Sequence, residues 1–241
     1  ERGLIEAAHG WKVEKDPHGA IAKLDRLREE FPRDARVPYL KGRILSRTLL
    51  QQGAAAAAFE EALALNPDDN YTLNSLAFAY LEDGRQDEAL RTIRRYVSLE
   101  PENPNARDSL GEIAWYGGDL PAAIEAFEQA MRIEPVFFSK RSIGYTQAML
   151  GRFDESRAAL AEFGESGTVR WKTTALWLRS LVDEATGRFE AAREALEAAA
   201  DYAVLDDRPE TVAELRMLVG ELLLQRGRTA EADGWSAKAM A

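Results

Sequence analysis

Residues 70–101 read NYTLNSLAFAYLEDGRQDEALRTIRRYVSLEP, and residues 104–135 read PNARDSLGEIAWYGGDLPAAIEAFEQAMRIEP. The two stretches match in residue size and character at a constant offset of 34 positions. The equivalent pairs are Ala77 and Gly111, Gly84 and Gly118, Ala89 and Ala123, Ile93 and Phe127, and Pro101 and Pro135. A fixed period of this length is typical of arrays of helical repeats, in which each unit buries its apolar face only against its neighbours.

The glycines and prolines of the period have local roles that predict where helices end. Glycine adopts the left-handed conformation that closes a helix without a Cβ clash. A proline disfavours helix in the residue before it, so the second helix of each unit is expected to stop there. The glycines predicted to end a first helix are Gly84, Gly118, Gly151, Gly187 and Gly227, and the prolines that follow a second helix are Pro67, Pro101 and Pro135.

This pattern resembles the tetratricopeptide repeat family, in which each repeat is a pair of antiparallel helices, A and B. The resemblance implies an all-α fold, a right-handed α-solenoid (superhelix) of about seven helix-turn-helix repeats, with the A helices on the concave side. The repeats are expected at about residues 1–35, 36–69, 70–103, 104–136, 137–170, 171–207 and 208–241, as one repeat domain over residues 1–241.

Two places depart from the regular period. With repeat two counted from about Arg36, Gly42 and Gly53 are out of register, so the turn between its helices is expected to differ. The step from repeat six to repeat seven is longer than the others, and the extra residues are expected within 202–209 as a longer loop or as extended helix ends.

Composition argues against catalysis, metal binding and nucleic-acid binding. The chain has no cysteine and only two histidines, His9 and His18, whose spacing suits no common metal motif. Its net charge is −10, which opposes bulk attraction to a nucleic acid. No apolar run is long enough for a membrane span. The sequence therefore predicts no enzyme activity, no cofactor and no metal, and it slightly favours the cytoplasm over the periplasm.

Carrying the inner-face positions of helix A over from the family predicts a groove for a peptide or protein partner. The predicted groove residues are Tyr71, Asn74, Phe78, Asn105, Asp108, Trp115, Phe138, Arg141, Tyr145 and Trp177. Exposed aromatic side chains with a few polar neighbours are characteristic of interface cores. The alternative is that the aromatic members only pack against the next A helix. The Lys and Asn set with which some family members clamp a chaperone C-terminus is missing.

The favoured function is thus a non-enzymatic module that binds a protein or peptide segment in its concave groove. Two alternatives are open: a scaffold that self-assembles through the repeat ends, including Trp235, and a regulatory appendage of an enzyme encoded upstream of Glu1. Trp235 is expected either to cap the last repeat or to contact another chain. Lys41, Arg43 and Arg47 share helical spacing, and a solvated helix face is favoured over an anion site.

Overall fold

The computed structural model describes residues 1–135 and 139–240, and these residues form helices joined by short turns, with no β-strand among them. The described part of the chain divides into two compact units, residues 1–126 and residues from Phe127 onward. The first unit contains α1 Arg2–Lys12, α2 Pro17–Glu30, α3 Arg36–Arg47, α4 Gln52–Leu65, α5 Asn70–Glu82, α6 Gln86–Leu99 and α7 Pro104–Tyr116. The boundary falls within α8, Leu120–Ile133. The second unit continues with α9 Ser139–Met149, α10 Phe153–Glu165, α11 Val169–Ala185, α12 Phe189–Leu205, α13 Pro209–Leu224 and α14 Thr229–Met240.

The helix ends confirm the roles predicted for the periodic glycines. All five have a positive φ, between 70° and 82°, and Gly84 is an example at the end of α5. Asn66 and Glu100, which precede Pro67 and Pro101, no longer have helical backbone angles, so the second helix of each pair ends there. A polar side chain then caps the N-terminus of each following helix. The Asp69 carboxylate accepts a hydrogen bond from the Thr72 N–H at the start of α5.

The turn between α3 and α4 differs from the glycine turns of the later hairpins, as expected, because Leu50 occupies the left-handed conformation with φ 53°. Lys15 does the same in the α1–α2 turn, with φ 59°. Gly42, however, was wrongly assigned to an irregular position. It lies inside α3, where a Cβ would come within 2.6 Å of the Phe59 ring on α4. Gly42 therefore allows the same close helix approach that Ala77 allows in α5, and the register of α3 is one residue earlier than the sequence pattern suggested.

We expect Leu50→Gly to raise the free energy of unfolding by about 0.5–1 kcal/mol. A non-glycine residue in the left-handed region costs about 1–2 kcal/mol, part of which is offset by the greater chain entropy of glycine. The Leu50 side chain is 74% exposed, so little packing is lost. Urea unfolding followed by circular dichroism measures the change. The reciprocal control, Gly84→Ala, should destabilise by about 1 kcal/mol, and a gain in that variant would contradict the interpretation.

The core of the first unit consists of the small and apolar residues that recur with the repeat. Ala77, Ala89 and Ile93 are fully buried, in a cluster that also includes Phe59 and Leu73. A second cluster joins the first three helices around Leu24 and Ile44. Because successive hairpins share these clusters, each helix pair is stabilised mainly by its neighbours within the unit.

The second unit has longer helices, which account for the stretched step in the sequence. The helices α11 and α12 have 17 residues each and α13 has 16, so the additional residues extend helices rather than a loop. Trp235 on α14 is partly buried against the cluster of α12 and α13, and the Lys238 ammonium lies 4.2 Å from the centroid of its ring. This packing favours the capping role for Trp235.

A buried carboxylate ties three elements of the second unit together. The Asp183 side chain on α11 is 1% exposed and faces three guanidinium groups. Its oxygens lie 3.3 Å from Arg157 on α10, 3.8 Å from Arg179 on α11, and 3.6 Å from Arg188 at the following turn. Arg157 also donates to Thr186 Oγ1 at the end of α11. Asp183 is therefore the centre of an ion-pair network that fixes α10 against the α11–α12 turn.

Candidate functional site

A cleft between α3 and α5 brings together two of the predicted groove residues. Asn74 and Phe78 on α5 face Arg43 and Arg47 on α3, and the cavity between them has a volume of about 210 Å³. The buried ring of Phe59 on α4 also lines it. We call this cavity the α3–α5 cleft. Its walls combine an apolar base with cationic and amide groups, so it can hold an apolar side chain beside a polar one.

Asn74 is one of three polar residues on the α5 side of the cleft, with Ser75 and Glu82. Its Oδ1 atom is buried and has no hydrogen-bond partner in the described structure. A buried acceptor without a partner is uncommon in folded proteins and calls for an explanation. A donor supplied by a bound molecule, such as a peptide N–H, would satisfy this oxygen.

Arg43 is held on the α3 side by aromatic rings. Its guanidinium carbon lies 5.7 Å from the ring centroids of both Trp11 on α1 and Tyr39 on α3. Trp11 is fixed in turn, because its Nε1 donates to Thr48 Oγ1 over 2.7 Å. The guanidinium is thus positioned by cation–π contacts rather than by a carboxylate.

The sequence reasoning missed these α3 residues because of the register of repeat two. Counting from Arg36 places Leu40 and Ile44 at the inner positions, whereas Ile44 is fully buried and Leu40 packs against its cluster. The residues that face the cleft side are Tyr39 and Arg43, one position earlier. Treating Gly42 as the small residue of α3 would have corrected the register from the sequence.

Three cations of α3 have different surroundings: Lys41 contacts α2, whereas Arg43 and Arg47 line the cleft. Lys41 forms an ion pair with Asp25 on α2, with 2.6 Å between Nζ and the carboxylate oxygen. Arg43 and Arg47 line the cleft and form no ion pair with any carboxylate among residues 1–135 and 139–240.

The other predicted residues of the first unit have varied surroundings. Tyr71 at the start of α5 is 78% exposed. Asn105 on α7 is exposed, and its amide donates to the Tyr96 hydroxyl over 3.4 Å. Burial of the Tyr96 side chain raises the pKa of its phenol. Asp108 is only 3% exposed, so its carboxylate is not offered to solvent. Trp115 is half-buried and makes an edge-to-face contact with Tyr116, with centroids 4.9 Å apart.

The second unit carries the remaining predicted residues. Arg141 on α9 is half-buried, and its Nε atom is buried with no hydrogen-bond partner within the described residues. Tyr145, one turn further along α9, is also half-buried. Trp177 on α11 is 39% exposed. Phe138 lies outside the described residues. The structure therefore unites only Asn74 and Phe78 in one cleft, and the continuous aromatic groove stays a prediction.

The described residues offer neither a metal-binding cluster nor a membrane-spanning helix. Among the described residues, no cluster of three or more His, Cys, Asp or Glu side chains could hold a metal ion. His9 instead lies 3.3 Å from Glu14, measured from Nδ1 to the carboxylate oxygen. No helix in residues 1–135 or 139–240 has the length and apolar character needed to cross a membrane.

The fold and the recurring turns define an all-α helical-repeat protein. Models of the tetratricopeptide repeat match residues 49–113, residues 14–70 and 178–235, and residues 105–137. The chain belongs to the tetratricopeptide repeat family. A segment of 110 residues is 31% identical to protein FlbA of Caulobacter vibrioides, over 45% of this chain and 18% of that protein. The chain spans a quarter or less of the length of the curated relatives it matches.

Solved structures of tetratricopeptide repeat proteins share the fold. The C-terminal part of a repeat-containing protein from Cytophaga hutchinsonii has a TM-score of 0.68 at 11% identity, and covers 96% of this chain and 92% of that one. YrrB, described as a TPR protein with an unusual peptide-binding site, has a TM-score of 0.53 at 19% identity, over 74% of this chain and 91% of its own. These similarities confirm the α-solenoid class predicted from the 34-residue period.

Proposed function

We propose that this protein is a non-enzymatic interaction module that binds an extended peptide segment of a protein partner along its inner helices. The observation that carries the proposal is the α3–α5 cleft, where the unpartnered Asn74 oxygen lies beside the Phe78 ring. Membership of a protein-binding repeat family and the likeness to YrrB support it. The remaining predicted groove residues, including Trp115 and Trp177, extend the proposed surface within their own units.

The amide of Asn74 and the ring of Phe78 contact different parts of the peptide, its backbone and one of its side chains. The Asn74 oxygen accepts a backbone N–H, which holds the peptide chain irrespective of its sequence. The Phe78 ring packs against a side chain of the peptide and contributes apolar burial, which is the main source of affinity at such contacts. Trp115 acts as a second aromatic contact on α7.

We expect Phe78→Ala and Trp115→Ala each to weaken peptide binding by about thirtyfold or more, since truncating an aromatic interface anchor costs about 2 kcal/mol or more. The full chain is used to select binders from a displayed random-peptide library, and the affinity of a selected peptide is measured by fluorescence anisotropy. Phe31→Ala is the matched control, because Phe31 is an exposed aromatic at the end of α2, outside the inner helices.

Circular dichroism must show that each variant keeps the helical content of the wild type. If both Phe78→Ala and Trp115→Ala bind the selected peptides with wild-type affinity, the inner-helix surface is not the binding site. If the library yields no binder at all, the proposed function itself is wrong.

A further inference from the structure

We propose that the α3–α5 cleft selects an acidic peptide segment, with side-chain carboxylates of the ligand pairing with Arg43 and Arg47 while a neighbouring apolar side chain packs on Phe78. The inference rests on the proposed function and names the chemistry of its ligand. It assigns recognition to α3, a helix that contributed no residue to the predicted groove.

The first observation is that neither cleft arginine forms an ion pair within the described residues. Elsewhere in the first unit, inter-residue ion pairs are common: Arg28 pairs with Glu61, Lys41 with Asp25, and Arg85 with Glu88. Arg43 and Arg47 have no such partner among the described carboxylates, although the protein as a whole carries a net charge of −10. Two guanidinium groups without an ion pair, against the single carboxylate of Glu82, favour an anionic ligand at this cleft.

The second observation is that Arg43 is already positioned for binding. Its guanidinium is flanked by Trp11 and Tyr39, and the Trp11 indole is fixed by its hydrogen bond to Thr48. A flexible arginine loses side-chain entropy when it forms an ion pair, and a preorganised one loses less. Arg43 makes no ion pair or side-chain hydrogen bond within the described residues, so its N–H donors are available to a carboxylate.

Positive charge continues from the cleft along α1. Lys12 lies 5.7 Å from the Trp11 ring centroid, and Lys15 follows at the α1–α2 turn; both line a second cavity with Trp11. Neither lysine has an ion pair with a carboxylate in the described parts of the chain. An extended peptide with several acidic residues could therefore contact successive cations from Arg47 toward Lys15.

The apolar and amide groups of the cleft favour a peptide over a nucleic acid. Phe78 and the buried Phe59 ring offer an apolar surface, and the Asn74 oxygen requires a donor such as a peptide N–H. Glu82 lines the same cleft and repels anionic groups of any kind, so a ligand must place its carboxylates at Arg43 and Arg47 and an uncharged residue near Glu82. A segment with separated carboxylates and an apolar residue fits both the cations and the Phe78 surface.

The test selects peptides from the displayed random library on the wild-type chain and on the Arg43→Ala/Arg47→Ala double variant. The wild type is expected to enrich peptides that contain Asp or Glu next to an apolar residue. That acidic preference should disappear on the double variant. A selected acidic peptide, made synthetically, should bind each single variant about tenfold more weakly than the wild type, the loss expected for one charge-assisted contact.

Three comparisons make the interpretation specific. Arg94→Ala removes an equivalent exposed arginine from α6 and should leave the affinity unchanged. Arg43→Lys keeps the charge but not the fork-shaped donor set, and should retain an intermediate affinity. Replacing the acidic residues of the synthetic peptide by Asn or Gln should abolish the effect of the arginine variants, and raising salt from about 0.1 to about 1 M should weaken only the acidic peptide.

The outcomes separate the ligand chemistry from the wider function. If selected peptides are neutral or basic and still depend on Phe78, the peptide-binding function stands and the acidic preference is wrong. If a short oligothymidylate binds more tightly than the acidic peptides and depends on the same arginines, the ligand class is wrong. Equal loss of affinity in Arg94→Ala would show a general charge effect and would also overturn the assignment to the cleft.

Discussion

Asp183→Ala is expected to lower the free energy of unfolding by about 3–5 kcal/mol, the cost of breaking a buried ion pair from one side. The substitution leaves Arg157, whose side chain is only 18% exposed, without its buried carboxylate. Arg157 keeps its contact with Thr186 Oγ1 and one carboxylate partner, Asp154, but the Asp154 side chain is 92% exposed. A surface ion pair of this kind contributes little, so it cannot replace Asp183.

Chemical denaturation of the variant measures this loss, and amide hydrogen exchange locates it. Protection should fall in α10, α11 and the start of α12, the elements that the network joins. Arg188→Ala is the matched control, because Arg188 is 53% exposed and its removal leaves Asp183 with two other guanidinium partners. We expect that control to cost less than about 1 kcal/mol. Equal losses in the two variants would contradict a central role for Asp183.

The second large effect is expected in the first unit, where Phe59→Ala should destabilise by about 3–5 kcal/mol. The Phe59 ring is 1% exposed and fills the space between α3 and α4 directly over Gly42. Its centroid also lies 6.0 Å from that of Tyr39. Truncation removes buried apolar surface and leaves a cavity that the Gly42 backbone cannot fill.

Urea unfolding of Phe59→Ala and of the more conservative Phe59→Leu tests this expectation. The leucine variant should lose less than about 1.5 kcal/mol, since it preserves most of the buried volume. The same Phe59 ring lines the α3–α5 cleft, so Phe59→Leu should also weaken peptide binding less than Phe78→Ala does. If Phe59→Ala unfolds at the wild-type urea concentration, the contact with Gly42 does not hold the two helices together.

Much of the fold could be predicted because its determinants are local. Gly84 and its periodic equivalents adopt the left-handed conformation, and Asp69 caps α5, because these effects depend on one residue and its immediate neighbours. The register of α3 could not be predicted in the same way. Leu50 takes the position that glycine occupies in the later hairpins, so the glycine that would mark the helix end is missing from this one.

The site was less predictable than the fold because it depends on residues far apart in the sequence. The family positions include Asn74 and Phe78, which line one cleft. They also included Asp108, which is buried, and omitted Arg43, whose position depends on Trp11 from another repeat. Burial and cation–π contacts of this kind arise only when helices from different repeats pack, so a single repeat pattern does not encode them.

The close contacts of two glycines have a consequence for how this chain can change during evolution. Gly42 lies under Phe59 in the first unit, and Gly144 lies under Leu160 in the second, where a Cβ would come within 2.7 Å of the leucine side chain. In each pair, a larger residue at the glycine position is tolerated only with a smaller one opposite it. Positions 42 and 59, and likewise 144 and 160, are therefore expected to covary among relatives with their combined volume conserved.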